Sequence, residues 1–129
     1  MARIASDAKA GYYPTPLSQV LLIAQRLRVE PGGAKVNIFD PCAGEGDALH
    51  GFARALSGQG AVVTSYGIEL EKERAEKCRG KLNHVLHSPY EDMRVTPHSM
   101  SLMWLNPPYT DRDHERAEVA FLRDLTDQV

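Results

Sequence analysis

Asn106-Pro107-Pro108-Tyr109 is the segment whose residue types bear most directly on chemistry. Two consecutive prolines fix φ and lack N–H donors, so the loop is stiff and presents carbonyl oxygens. The side-chain oxygen of Asn106 and the carbonyl of Pro107 can together accept both protons of one amine nitrogen. An amide or aryl amine is a poor nucleophile because its lone pair is delocalised. Holding both N–H bonds favours a more pyramidal nitrogen, with its lone pair aimed at an electrophilic methyl. Tyr109 has the flat ring to stack on a planar group such as an unstacked base. Taken alone, the same four residues also describe a proline-terminated strand followed by an exposed tyrosine.

Two further segments carry chemistry of a compatible kind. In Asp40-Pro41-Cys42-Ala43-Gly44-Glu45-Gly46-Asp47 the small residues let the backbone turn sharply and approach a ligand closely. There is no third glycine at the dinucleotide spacing and no Gly-Lys-Ser/Thr, so this is not a phosphate-binding loop. Gly67-Ile68-Glu69 ends in a carboxylate that can accept both hydroxyl protons of a ribose. By itself Glu69 reads more often as a solvated acid at a strand end; its place one strand–helix–strand unit after the glycine turn shifts the balance to ribose.

The elements needed to position these residues are legible in the apolar spacing. Leu17, Val20, Leu21, Ala24 and Leu27 recur at helical intervals after Pro14-Thr15-Pro16, predicting a helix that starts at Pro16 and ends near Glu30. Val36–Phe39 predicts a strand, Asp47 to Leu56 a helix, Ala61 to Glu69 a second strand and Glu71 to Leu82 a second crossover helix. His84–His87 predicts a third strand and Ser101–Leu105 a fourth. Ala117, Ala120, Phe121 and Leu125 predict a last helix over Asp113 to Thr126, with Asp111-Arg112-Asp113-His114-Glu115-Arg116 as its polar start. This alternation predicts an α/β fold, a Rossmann-like parallel sheet with right-handed crossovers, whose ligand site lies beyond the carboxyl ends of the strands. All three chemical segments fall at such ends.

At these points the sequence resembles the class I S-adenosylmethionine-dependent methyltransferases, in particular the N6-adenine DNA methyltransferases with an Asn-Pro-Pro-Tyr motif. Gly11-Tyr12-Tyr13-Pro14-Thr15-Pro16 is similar to the N-terminal motif where those enzymes hold the methionine part of the cofactor. The motif order matches the subgroup whose target-recognition region is C-terminal. The resemblance implies that Tyr13, Thr15 and Pro16 seat the amino-acid moiety of S-adenosylmethionine. It places Asp40, Cys42, Ala43, Gly44 and Gly46 along the methionine side, Glu69 on the ribose, and Leu70 and Tyr90 against the adenine. Asn106, Pro107, Pro108 and Tyr109 would present the target amine. Many relatives have an Asp-aromatic pair after the third strand, the Asp reading the adenine amine; here Pro89 stands in that place, leaving Ser88 or Asp92 as acceptors.

The family fold has more strands than the four readable before Val129. The resemblance therefore implies the N-terminal part of the fold as a single domain over 1–129, without the later strands and the target-recognition region. An open edge on the fourth strand would invite a homodimer or a partner subunit.

Composition bounds the rest. The chain has 129 residues, 43% hydrophobic and 25% charged, as expected for one globular domain. Its 15 basic residues are spread among 17 acidic ones, net −2, so DNA as substrate would draw its main grip from elsewhere. The longest apolar run, Val20 to Ala24, is far short of the ~20 residues of a membrane span. The start Met1-Ala2-Arg3 has no apolar signal core, which gives a cytoplasmic expectation. Cys42 and Cys78 read as reduced thiols, and His50, His84, His87, His98 and His114 have no metal-ligand spacing. Trp104, beside the proline loop, reads as a core residue. Methylation of a glutamine amide or of RNA uses the same amine chemistry, and a cofactor-binding module without turnover is the alternative from a different class.

Overall fold

The computed structural model describes residues 13–108, 111–112, 115–126 and 129. Four parallel strands, β1 (Lys35–Asp40), β2 (Val62–Glu69), β3 (His84–His87) and β4 (Leu102–Met103), form one sheet in the order β3-β2-β1-β4. The chain steps outward from β1 to β3, then returns to place β4 on the other side of β1. The strand order therefore reverses at β1, and a crevice opens above its carboxyl end. Burial follows the same direction: the first residues of β1 and β2 are exposed, whereas Asp40 and Glu69 at their ends are buried.

Helices α2 (Asp47–Gly58) and α3 (Lys72–Arg79) cover one face of this sheet, packing Leu49, Phe52, Leu56 and Cys78 against Ile38, Val36, Val63 and Val85. Each fully buried side chain of this size stabilises the fold by about 1.5–3 kcal/mol over its exposed state. Helix α1 (Leu17–Ala24) packs on α2 through Val20 and Ala24. Pro16 starts it: its carbonyl accepts from the N–H groups of Gln19 and Val20 at 3.0 and 3.2 Å. The helix stops at Ala24, earlier than the spacing predicts. There Gln59 donates from Nε2 to the Ala24 carbonyl at 3.4 Å, while its Oε1 accepts from Val29 N–H at 3.3 Å. A side chain 35 residues away thus redirects the chain.

The fourth strand is shorter than predicted, Leu102–Met103, and it pairs with β1 alone among the described residues. Hydrogen bonds to β1 nevertheless flank it, from Ser101 N–H to the Asn37 carbonyl and from Trp104 N–H to the Phe39 carbonyl, at 2.8 and 2.7 Å. The last helix, α4 (Ala117–Leu125), starts later than predicted. The segment expected as its polar first turn instead forms a two-stranded antiparallel pair, β5 (Asp111–Arg112) with β6 (Glu115–Arg116). Charges that suit a helix N-terminus do not exclude a strand pair, so their pattern did not separate the two. Phe121 and Leu125 of α4 pack with Tyr90, Met103 and Leu105 in a second cluster. Trp104 joins the main core, its ring 5.5 Å from that of Phe52. No helix among the described residues is long and apolar enough to cross a membrane.

Candidate active site

A pocket of about 460 Å³ opens at the carboxyl ends of β1, β2 and β4, within the size range of small-molecule and cofactor sites. Its wall is built by the turn after β1. Asp40 ends the strand, and its Oδ1 accepts from the Cys42 N–H at 2.8 Å, closing a tight turn. Ala43 N–H donates to the Ile68 carbonyl at 2.8 Å, tying the turn to β2. Gly44 and Gly46 then adopt left-handed φ values of 58° and 84°, which an L side chain rarely accepts. The turn lies so close to β2 that a Cβ on Gly67 would meet Leu82 at 2.6 Å and Ala43 at 2.9 Å.

Glu69 is 5% exposed, and its carboxylate is held by backbone and guanidinium groups. Its Oε2 accepts from Gly44 N–H at 2.8 Å. Its Oε1 accepts from Glu71 N–H at 2.8 Å and from Arg74 Nε and Nη2 at 3.1 and 2.8 Å. Arg74 is presented by the first turn of α3, whose start is fixed by Glu71: that carboxylate accepts from the N–H groups of Glu73 and Arg74 at 3.0 and 2.9 Å. These two backbone hydrogen bonds hold the Glu71 carboxyl below its ordinary range.

Asp40 is 3% exposed. Burial pushes its carboxyl from the ordinary 3.8 up to about 7, the Cys42 N–H opposing this and the nearby Glu69 charge adding to it. The pocket thus contains a carboxyl poised between its charged and neutral forms near neutral pH. Cys78, behind the glycine turn, is completely buried, and its thiol is pushed up to about 12 by burial and by the charges of Asp40 and Glu69, so it is not a nucleophile.

The proline loop closes the opposite side. Asn106 Nδ2 donates to the Tyr13 carbonyl at 3.2 Å and to Thr15 Oγ1 at 3.0 Å, joining the N-terminal segment to the loop after β4. Pro108 lines the pocket and Pro107 is buried. Tyr90, in a 3-10 turn (Tyr90–Asp92), is held by α4: its ring lies 3.8 Å from that of Phe121, and its hydroxyl donates to Asp124 Oδ2 at 3.1 Å.

The residues singled out from sequence therefore distribute unevenly. Tyr13, Thr15, Asp40, Cys42, Ala43, Glu69, Leu70, Tyr90, Asn106 and Pro108 line one pocket. Pro16, Gly44, Gly46 and Pro107 stand behind its wall, starting a helix, shaping the turn or packing inside. Tyr109, with Gly11 and Tyr12, lies outside the described residues. Of the two acceptors considered in place of the Asp at Pro89, Ser88 lines the pocket and Asp92 does not; Glu91 does. Arg74, Glu71, Trp104 and Phe121 also line it and were not foreseen. Only Arg74 carried a usable signal, a cation in the first turn of the helix that follows the strand-end acid. Among the described residues no group of His, Cys, Asp or Glu side chains is placed to hold a metal ion.

A parallel sheet reversing at β1, with a glycine turn, a strand-end acid and a proline loop around the resulting crevice, is the class I methyltransferase type of α/β fold. Residues 1–119 match the family described as "Uncharacterised methyltransferase family (DUF6094)", and the chain belongs to that family. A solved protein of Listeria monocytogenes assigned to the class I S-adenosylmethionine-dependent methyltransferases shares the fold at a TM-score of 0.52 and 20% identity. The match covers 67% of this chain and 29% of that protein, so the chain spans under a third of its length. Comparison with curated proteins gives no match.

Proposed function

We propose that this chain binds S-adenosylmethionine in the pocket above β1 and serves methyl transfer to an exocyclic amine, that of adenine in DNA. The observation that supports this is the convergence of Asp40, Glu69 and Asn106 on one pocket. The donor set fits the cofactor. A ligand carrying a sulfonium, an ammonium and two ribose hydroxyls suits a pocket walled by Asp40, Asp47, Glu69, Glu71 and Glu91 with Arg74 as the cation. Leu70 is 57% exposed yet lines that pocket, an apolar surface suited to a flat ring.

When bound, S-adenosylmethionine supplies an electrophilic methyl on a good leaving group. The residues of the chain then have distinct tasks. Glu69 Oε2 has one hydrogen bond, from Gly44, and an ionised carboxylate oxygen takes two, so it retains an acceptor site for a ribose hydroxyl. Asp40 offers negative charge to the cationic end, and binding there draws its carboxyl to the ionised form. Ser88 or Glu91 accepts from the adenine amine in place of the carboxylate absent at Pro89. Asn106 and the Pro107 carbonyl accept from the target amine and aim its lone pair. No strong base is required, because the amine can release its proton late.

Calorimetric titration with S-adenosylmethionine tests the first half, and transfer of labelled methyl to unmethylated DNA, with Asn106→Ala as control, tests the second. Absence of binding at millimolar cofactor would remove the proposal, and equal incorporation by wild type and Asn106→Ala would remove the role of Asn106.

A further inference from the structure

The side-chain amide of Asn106 has two faces of opposite character, a donating NH2 and an accepting carbonyl, and its function as an acceptor for an amine depends on which is turned outward. Two hydrogen bonds from its NH2 group reach the N-terminal segment. Nδ2 donates to the Tyr13 carbonyl at 3.2 Å and to Thr15 Oγ1 at 3.0 Å, across more than ninety residues of sequence. The backbone carbonyl of Tyr13 is an acceptor only, so a flipped amide would set two oxygens against each other with no proton between them. The Thr15 hydroxyl can serve either orientation; it is the second anchor that stops the amide from swinging. Because the amide is planar, holding both N–H bonds also fixes the direction of Oδ1.

The anchors are themselves stiff. Thr15 lies between Pro14 and Pro16, which restrict its backbone and their own φ. Pro16 is tied into α1 through its carbonyl. We propose that Thr15, with the Tyr13 carbonyl, is a positioning pair that sets the orientation of Asn106 for amine binding, a task distinct from seating the cofactor. This rests on the reading of Asn106 as the amine acceptor.

Thr15→Val keeps the shape and removes the hydroxyl, Thr15→Ser restores it, and Asn106→Ala identifies the side-chain amide signal by its loss. In nitrogen-15 NMR of the full chain, the Asn106 NH2 protons exchange with solvent about tenfold faster in Thr15→Val, and return toward wild type in Thr15→Ser. Methyl transfer to unmethylated DNA falls in kcat by about tenfold in Thr15→Val and recovers in Thr15→Ser, while the Kd for S-adenosylmethionine shifts by less than about threefold. Unchanged amide exchange in Thr15→Val would overturn the proposal, as would a loss of cofactor affinity equal to the loss of kcat. Full transfer by Asn106→Ala would instead overturn the functional reading, and the exchange data would still report whether Thr15 holds the side chain.

Discussion

Arg74 grips Glu69 through Nε and Nη2, both on the single oxygen Oε1, at 3.1 and 2.8 Å, so that the other oxygen is left to reach the glycine turn. The pair divides one carboxylate between two tasks: Oε1 secures the start of α3, and Oε2 secures the wall of the pocket. Arg74 and Glu69 side chains are 17% and 6% exposed, which places this ion pair among those where removal of one partner matters. Arg74→Met is expected to lower stability by about 1–3 kcal/mol and to weaken S-adenosylmethionine binding, read by thermal unfolding and by calorimetry. Wild-type affinity in that variant would mean that Glu69 keeps its place without the guanidinium.

Asp40 gives the site a pH dependence with a defined direction. Its carboxyl in the folded protein sits at about 7 against the ordinary 3.8. The folded state therefore binds the proton more tightly than the unfolded chain, so the contribution of Asp40 to stability is full below about pH 4 and is lost as pH rises through about 7. Relative to Asp40→Asn, the wild type should lose melting temperature between pH 5 and pH 8. Ligand binding runs the other way: a cationic ligand favours the carboxylate, so affinity for S-adenosylmethionine should rise with pH across the same window. The neutral thioether S-adenosylhomocysteine should show a smaller rise. Parallel pH profiles for the two ligands would contradict this placement of charge.

Gly67 is a glycine for lack of room. Gly67→Ala forces a Cβ into Leu82 and Ala43 and is expected to cost about 1–3 kcal/mol, or to move the glycine turn, seen as a lower melting temperature and weaker cofactor binding. Gly58, at the end of α2, has nothing within 4 Å of an added Cβ. Gly58→Ala should leave binding unchanged and raise stability by up to about 1 kcal/mol. Equal melting temperatures for the two variants would show that Leu82 and the glycine turn at Ala43 yield to the added Cβ at little cost.

The outer edge of β4 has no strand partner among the described residues, although Phe121 and Leu125 of α4 pack beside it on Met103. We propose that this edge is where the chain joins a second copy or a partner subunit. Sedimentation velocity over a rising concentration series should show a dimer forming. A single monomer species throughout, for wild type and for a Leu102→Lys variant alike, would count against self-pairing at this edge.

Local order and chemistry were written plainly in the sequence. The β-branched and aromatic run ending at Glu69 predicts β2, and Pro16 sets the start of α1. The glycine-rich turn, the strand-end acid and the proline loop all lie at strand ends because each signal is contained within a few neighbouring residues. Whatever depends on distant residues meeting required the tertiary structure. Gln59 ends α1 at Ala24, although the apolar spacing continues to Leu27. The charges before Ala117 are compatible with either helix or hairpin, and pairing of the backbone selects the hairpin. The hydrogen bonds of Asn106 to Tyr13 and Thr15, the division of Glu69 between Gly44 and Arg74, and the tilted ring contact of Tyr90 with Phe121 link elements separated by loops. Spacing along the chain fixes which residues share a helix face or a strand end, but the direction of a side-chain amide or the loading of a carboxylate oxygen is set only when those ends are brought together.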